Sequence, residues 1–209
     1  MYYGSNEIKQ LDRVSRLKLI NSICGIRGVH LIGSISSINK TNLAIFSSVV
    51  HVGSNPPILG FITRPNLEVK RDTYNNIIET NYYTINSIER KMIDRSHQTS
   101  GKYDTNISEF DVCQFHEQYI NNFIAPYVAE CKIKIGLKLK EIITINSNNS
   151  NLIVGEIEQM HFDKDIFFSD QTLDLEKSDA IGISGLNRYY KFNHLCDLPY
   201  ARISELPKF

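Results

Sequence analysis

Apolar and polar positions alternate most regularly over residues 131–139. Cys131, Ile133, Ile135, Leu137 and Leu139 fall on one side, with Lys132, Lys134, Lys138 and Lys140 on the other. A period of two predicts a long strand with one buried and one lysine-rich, solvated face. A polar turn over 146–151 then leads into a returning strand over 152–162. Upstream, Val29, Leu31, Gly33 and Ile35 alternate with more polar residues over 29–38. A turn at 39–42 makes that strand a hairpin with the β-branched and aromatic run 42–51. Gly53-Ser54-Asn55-Pro56-Pro57 interrupts regularity, because proline donates nothing to a ladder and restricts its predecessor. Residues 58–63 and 82–88 read as further strands.

Helical spacing is weaker. Leu11, Val14, Leu17 and Ile20 share a stripe that predicts an amphipathic helix over about 10–23, ended by Gly25. A helix runs from the Arg71-Asp72-Thr73 region to residue 79, and another over 89–98. Residues 99–104 form a polar loop, and 108–113 a short helix started by a capping serine, Ser108. A short helix is expected within 173–181. Residues 182–191 read as a glycine-interrupted loop carrying Tyr189 and Tyr190, and the tail as extended, wrapping structure. Turn-linked strands with a few attached helices predict an α+β protein built on an antiparallel barrel.

The 209 residues suffice for one domain with a substantial core. The expected divisions are the N-terminal helix at about 10–23, a barrel core at about 29–163 and a C-terminal wrapping segment, 164–209. Lysine plus arginine equals aspartate plus glutamate, 23 against 23, so charge offers no case for nucleic acid or an anionic membrane. No apolar run reaches membrane-span length, and the first ten residues lack a signal-peptide profile. Cys24, Cys113, Cys131 and Cys196 are scattered without a Cys-x-x-Cys pair, as reduced thiols in a cytoplasmic protein would be.

Several chemistries lack their residues. The six histidines show no metal-ligand spacing, so no metal site is expected. No Gly-x-Ser-x-Gly elbow supports a serine hydrolase, and no Gly-x-Gly-x-x-Gly supports a Rossmann site. What remains is Arg71-Asp72-Thr73 beside a helix N-terminus, a natural seat for phosphate. The plainer alternative is that Asp72 caps the helix while Arg71 is solvated. By themselves Ser47 and Ser48 read as a polar pair near a turn, and Arg64 as a surface arginine.

Taken in order, Asn42-Leu43-Ala44-Ile45-Phe46-Ser47, Asn55-Pro56-Pro57 and Arg71-Asp72-Thr73-Tyr74-Asn75-Asn76-Ile77 resemble the flavin reductase-like family, which includes the flavoredoxins. Ser108-Glu109-Phe110, Ala125-Pro126-Tyr127-Val128-Ala129-Glu130-Cys131 and Leu152-Ile153-Val154-Gly155-Glu156 extend the resemblance over about 29–190. One departure is an extra residue between Thr73 and the Asn76-Ile77 pair. The resemblance implies an FMN-binding antiparallel split β-barrel with flanking helices. It also implies jobs for the residues: Ser47 and Ser48 along the flavin ring edge, and Arg71 and Thr73, with Asp72 and Asn76 in the same element, at the phosphate. Arg64 would supplement the phosphate or reach NAD(P)H. Ser100 and Lys102 lie in a loop that approaches the cofactor, and Tyr189 near the flavin.

The function implied is FMN-dependent hydride transfer from NADH or NADPH, with electrons passed to a flavin or protein acceptor. The flavin N5, not a protein side chain, would do the chemistry. A homodimer is implied as well. The alternatives are a flavoredoxin-type electron carrier with little NAD(P)H turnover, or a split barrel that serves as a non-enzymatic binding module.

Overall fold

The computed structural model describes residues 1–66 and 70–202. Helices α1 (Ser5–Gln10) and α2 (Arg13–Ile23) precede the short strand β1 (Arg27–Gly28). Strands β2 (His30–Ile35), β3 (Thr41–Phe46), β4 (Val50–Ser54) and β5 (Pro57–Thr63) follow, then helix α3 (Asp72–Thr80) and β6 (Tyr82–Ser87). A 3-10 turn, Arg90–Met92, runs into α4 (Ile93–Gln98), after which come α5 (Glu109–Val112), β7 (Glu117–Gln118) and β8 (Tyr127–Val128). The long pair β9 (Ile133–Ile145) and β10 (Ser150–Phe162) and the hairpin β11 (Ile181–Ser184) and β12 (Arg188–Lys191) complete the chain.

Seven strands form one antiparallel sheet in the order β3-β2-β6-β9-β10-β5-β4. Its two edge strands, β3 and β4, are consecutive in sequence and only residues 47–49 separate them. So short a link forces the two edges to approach, and the sheet curls into an antiparallel barrel with a split between β3 and β4. β2, β5, β6, β9 and β10 all send apolar side chains into one cluster, Ile32, Phe61, Tyr83, Ile85, Leu137 and Ile153, closed by Ile77 of α3. A second cluster lies against the other face of the wall, where Val29, Leu31 and Leu43 meet Met92, Phe110, Val128 and Ile183. The edge amide of Leu43 on β3 is covered by Glu109 of α5, whose Oε2 accepts it at 3.1 Å. That contact denies the edge to another strand.

Helix α3 is fixed by buried polar contacts as well as by Ile77. The Asn42 side-chain amide donates to the Thr73 hydroxyl at 2.9 Å, and the Asn76 amide donates to the Ser34 hydroxyl at 3.2 Å. Thr73, Asn76, Asn42 and Ser34 are all buried.

Several sequence expectations are corrected. The helix expected over about 10–23 is α2, which starts at Arg13 because Asp12 accepts from the amides of Val14 and Ser15, and α1 precedes it as a separate, unexpected helix. Gly25 does follow its end, with φ +71. The apolar stripe is not buried in this chain: Leu11 is half-buried, and Val14, Leu17 and Ile20 are exposed, as is Ile23 beyond them. The run 42–51 is not one strand; it leaves the β2 ladder after Phe46 and joins β5 at Val50. Ser108 stands at the N-cap of α5 without a capping bond, its hydroxyl lying 2.9 Å from that of Thr41 instead. Asp72 is the first residue of α3 rather than its cap, a position held by Arg71. No helix forms over 173–181, where the chain makes turns ending in an isolated bridge from Ala180 to Glu89. The loop expected over 182–191 is the hairpin β11–β12, which pairs with β1. Gly185, at φ +66, supplies the left-handed turn residue that lets it close.

Candidate functional site

Where β3 gives way to β4, Ser47, Ser48 and Val49 lie outside both ladder registers. Main-chain groups so placed are available to a ligand, since no strand partner consumes them. The break is held in place by Ser48. Its hydroxyl donates to the carbonyl of Ile62 and accepts the amide of Ile62, both at 3.1 Å, so it stands in for the missing strand on β5. The Ser48 side chain is thereby committed to the scaffold.

Beside the break is a cleft of ≈ 360 Å³ lined by Val29, Ile45, Ser47, Arg64, His97, Ser100, Ile183, Leu186 and Asn187. Five separate stretches of chain supply these walls: the start of β2, the end of β3, the exit of β5, the end of α4 and the β11–β12 turn. Its apolar side suits a flat ring, and its few polar groups suit orientation of that ring. The Ser100 hydroxyl donates to the carbonyl of His97 at 2.7 Å, tying off the end of α4. The Nδ1 of His97 lies 2.8 Å from the Tyr189 hydroxyl, and the two rings meet edge to face at 5.8 Å. Burial, with a smaller contribution from the Asp94 carboxylate, pushes the Tyr189 hydroxyl up to about 12, so it keeps its proton at neutral pH.

A second cluster of expected site residues gathers at the start of α3. Arg71 holds the N-cap position without a side-chain cap, and its amide donates to the Asn66 side chain at 2.7 Å. Asn66 in turn donates to Asn75 at 2.8 Å, which fixes the approach to the helix. The Nε of Arg71 is buried and has no hydrogen-bond partner among the described residues. A buried guanidinium nitrogen without a partner is costly, and an anion at the helix N-terminus would satisfy it. Thr73 and Asn76 face away from that role through their bonds to Asn42 and Ser34, although the Thr73 hydroxyl retains its own proton to donate.

The structure therefore brings Ser47, Arg64 and Ser100 together in the cleft, with Tyr189 joined to it through His97. Arg71, Asp72, Thr73 and Asn76 form a separate group. Ile45 packs in the outer cluster, whereas Asn42 turns to the opposite face of β3 to meet Thr73. Asn42 and Ser47 are about 17 Å apart along the strand at the usual rise per residue. Lys102 is exposed on the loop after α4 and does not line the cleft. Sequence reasoning missed His97 and Asn187. A single histidine in a short polar helix carries no motif, and only its pairing with Tyr189, 92 residues on, distinguishes it.

Comparison with known proteins gives a consistent result. The family model described as "Flavin reductase like domain" matches residues 25–175. A split-barrel-domain protein of Shewanella frigidimarina NCIMB 400, provisionally assigned as a flavin reductase, superposes with a TM-score of 0.92 at 37% identity, covering 96% of this chain and 100% of that one. Nitrilotriacetate monooxygenase component B from Bacillus cereus gives a TM-score of 0.84 at 18% identity, over 95% of this chain and 98% of that one. Flavoredoxin of Desulfovibrio vulgaris (Miyazaki F) gives 0.73 at 20% identity, over 87% and 94%. At those two lower identities the likeness shows the shared split-barrel fold.

Proposed function

The chain belongs to the flavin reductase like domain family, and on that premise we propose that it is an FMN-dependent oxidoreductase. It takes hydride from NADH or NADPH and hands electrons to a flavin or a protein acceptor, working as a homodimer in the cytoplasm. The observation that carries this reading is Arg71: a buried, unpartnered guanidinium nitrogen at the N-cap of α3 fits a phosphate dianion. The cleft at the barrel split supplies the other half of the fit, a partly apolar slot bordered by Ser47.

Bound there, FMN would supply hydride acceptance at N5 and the release of electrons. The chain's own contribution is placement. Val29, Ile45, Ile183 and Leu186 would cover the flat ring and keep water from it. The main chain at Ser47, released from the ladders and held still by Ser48, would hydrogen-bond the polar ring edge. Arg64 brings a positive charge to the cleft that suits a nucleotide phosphate. No side chain is needed as a general acid or base for hydride transfer itself.

Anaerobic titration with FMN tests this directly. The expected result is saturable uptake seen in the visible spectrum, followed by rapid bleaching with NADH or NADPH. Absence of uptake overturns the reading. Uptake without bleaching would replace the reductase by an electron carrier.

A further inference from the structure

His97 is the one cleft-lining imidazole, and its surroundings define which of its nitrogens carries the proton. Nδ1 is taken by the Tyr189 hydroxyl at 2.8 Å. That phenol is half-buried on β12, packs against the outer cluster around Val29 and Ile183, and has no other hydrogen-bond acceptor among the described residues. A phenol with no other acceptor that donates to Nδ1 leaves the ring hydrogen on Nε2. The α4 backbone end is meanwhile fixed by the Ser100 hydroxyl and amide, both bonded to the His97 carbonyl, at 2.7 Å and 3.0 Å. Among the described residues nothing accepts from Nε2. The pair is thus built as a held donor, with its backbone and one ring nitrogen secured and no partner for the other among the described residues, in a residue that lines the cleft together with Ser47 and Arg64.

We propose that Tyr189 locks His97 in the Nε2–H tautomer, and that this N–H donates a hydrogen bond to an acceptor atom on the rim of the bound flavin ring. The inference rests on the FMN reading above. A donor aimed at a ring that gains negative charge on reduction binds the reduced form better than the oxidised form, and so raises the reduction potential. His97 is then a cofactor-contacting residue and Tyr189 a positioning residue.

The test has two parts on the same full-length protein. Nitrogen-15 NMR of the imidazoles, without flavin, should show His97 as the Nε2–H tautomer in the wild type and a tautomer mixture in Tyr189→Phe. Spectroelectrochemistry of the FMN-loaded proteins should then show His97→Phe favouring oxidised flavin by about tenfold relative to wild type, about 30 mV for a two-electron couple. His97→Gln, whose amide N–H reaches a similar place, should recover most of that shift. Tyr189→Phe should move the potential part of the way in the same direction. If His97→Phe does not fold, Tyr189→Phe decides the matter by the same measurement. An Nδ1–H tautomer in the wild type, or potentials unmoved in both variants, overturns the assignment while FMN binding stands. Failure of the wild type to take up FMN overturns the parent reading and this one together.

Discussion

Gly155 on β10 stands against the phenol ring of Tyr83 on β6: a Cβ built on Gly155 would lie 2.8 Å from Tyr83 Cζ, and the hydroxyl oxygen is nearer still. Tyr83 is fully buried, and its hydroxyl has no hydrogen-bond partner among the described residues. The glycine is therefore a seat for the ring, and Gly155→Ala should destabilise by about 1–3 kcal/mol through overpacking. Tyr83→Phe should be neutral or mildly stabilising, since the hydroxyl it removes is buried and unsatisfied. In urea denaturation the double variant should recover part of the alanine loss. Strict additivity of the two changes would show that this contact is not the source.

Arg71→Ala should weaken FMN about 10- to 150-fold, the equivalent of a charged hydrogen bond of about 1.5–3 kcal/mol. Riboflavin, which lacks the phosphate, should bind almost as before. Arg71→Lys should restore part of the affinity, because the charge returns without the planar fork. Equal weakening of FMN and riboflavin in a fluorescence titration would move Arg71 from the phosphate to the scaffold.

His30 gives a pH dependence with a definite sign. Burial holds its imidazole down at about 4, from an ordinary 6.5, while its Nδ1 lies 3.2 Å from the Ser87 hydroxyl. Below about 6.5 the unfolded chain takes up a proton that the folded chain refuses. Stability is then fully present above about 6.5 and falls as the pH drops toward 4, by at most about 1.4 kcal/mol per pH unit for one proton. His161, also lowered, acts in the same direction. Denaturation midpoints measured between pH 7 and 5 should fall in the wild type and fall less steeply in His30→Gln.

The stripe Val14, Leu17, Ile20 and Ile23 bears on assembly. An eleven-residue helix with no residue buried in its own chain is marginal in water, and under the proposed homodimer its exposed stripe would pack against the second copy. Sedimentation velocity should give twice the 24.0 kDa chain mass. Leu17→Lys combined with Ile20→Lys should lower that mass toward the monomer and leave the far-UV spectrum of the barrel intact. A wild-type monomer at micromolar concentration that still binds FMN tightly would remove the dimer from the reading.

How much of this was legible differs by element, for physical reasons. The β9–β10 pair was plain, because a half-buried wall writes its alternation into the sequence, as Ile133 and Leu137 do against Lys134 and Lys138. The strand was still longer than its alternation, reaching Ile145 across a bulge that a period-two pattern does not carry. The break at Ser47 was invisible because residues 42–51 have strand propensity throughout; it arises from a change of partner, which is a tertiary event. The β11–β12 hairpin is hidden because Gly182 and Gly185 have the same composition as loop glycines, although Gly185 is the turn. Of the residues that line the cleft, the resemblance names Ser47, Arg64 and Ser100 but not His97, whose distinguishing feature is a distant contact.

The cleft walls come from residues near 29, 46, 64, 98 and 185, so they draw on both the three-stranded sheet β1-β11-β12 and the barrel edge. A ligand seated there binds only when all five stretches are folded, so its binding free energy is added to the opening of each of them. Hydrogen exchange should register this as a coordinated slowing on FMN addition. The amides of β11 and β12, close to the C-terminal end of the described chain, should gain protection together with those after Phe46, while the β9–β10 pair changes little. Occupancy would then be readable as the resistance of the C-terminal hairpin to proteolytic clipping, a far-end signature of a site whose first wall is laid down by Val29.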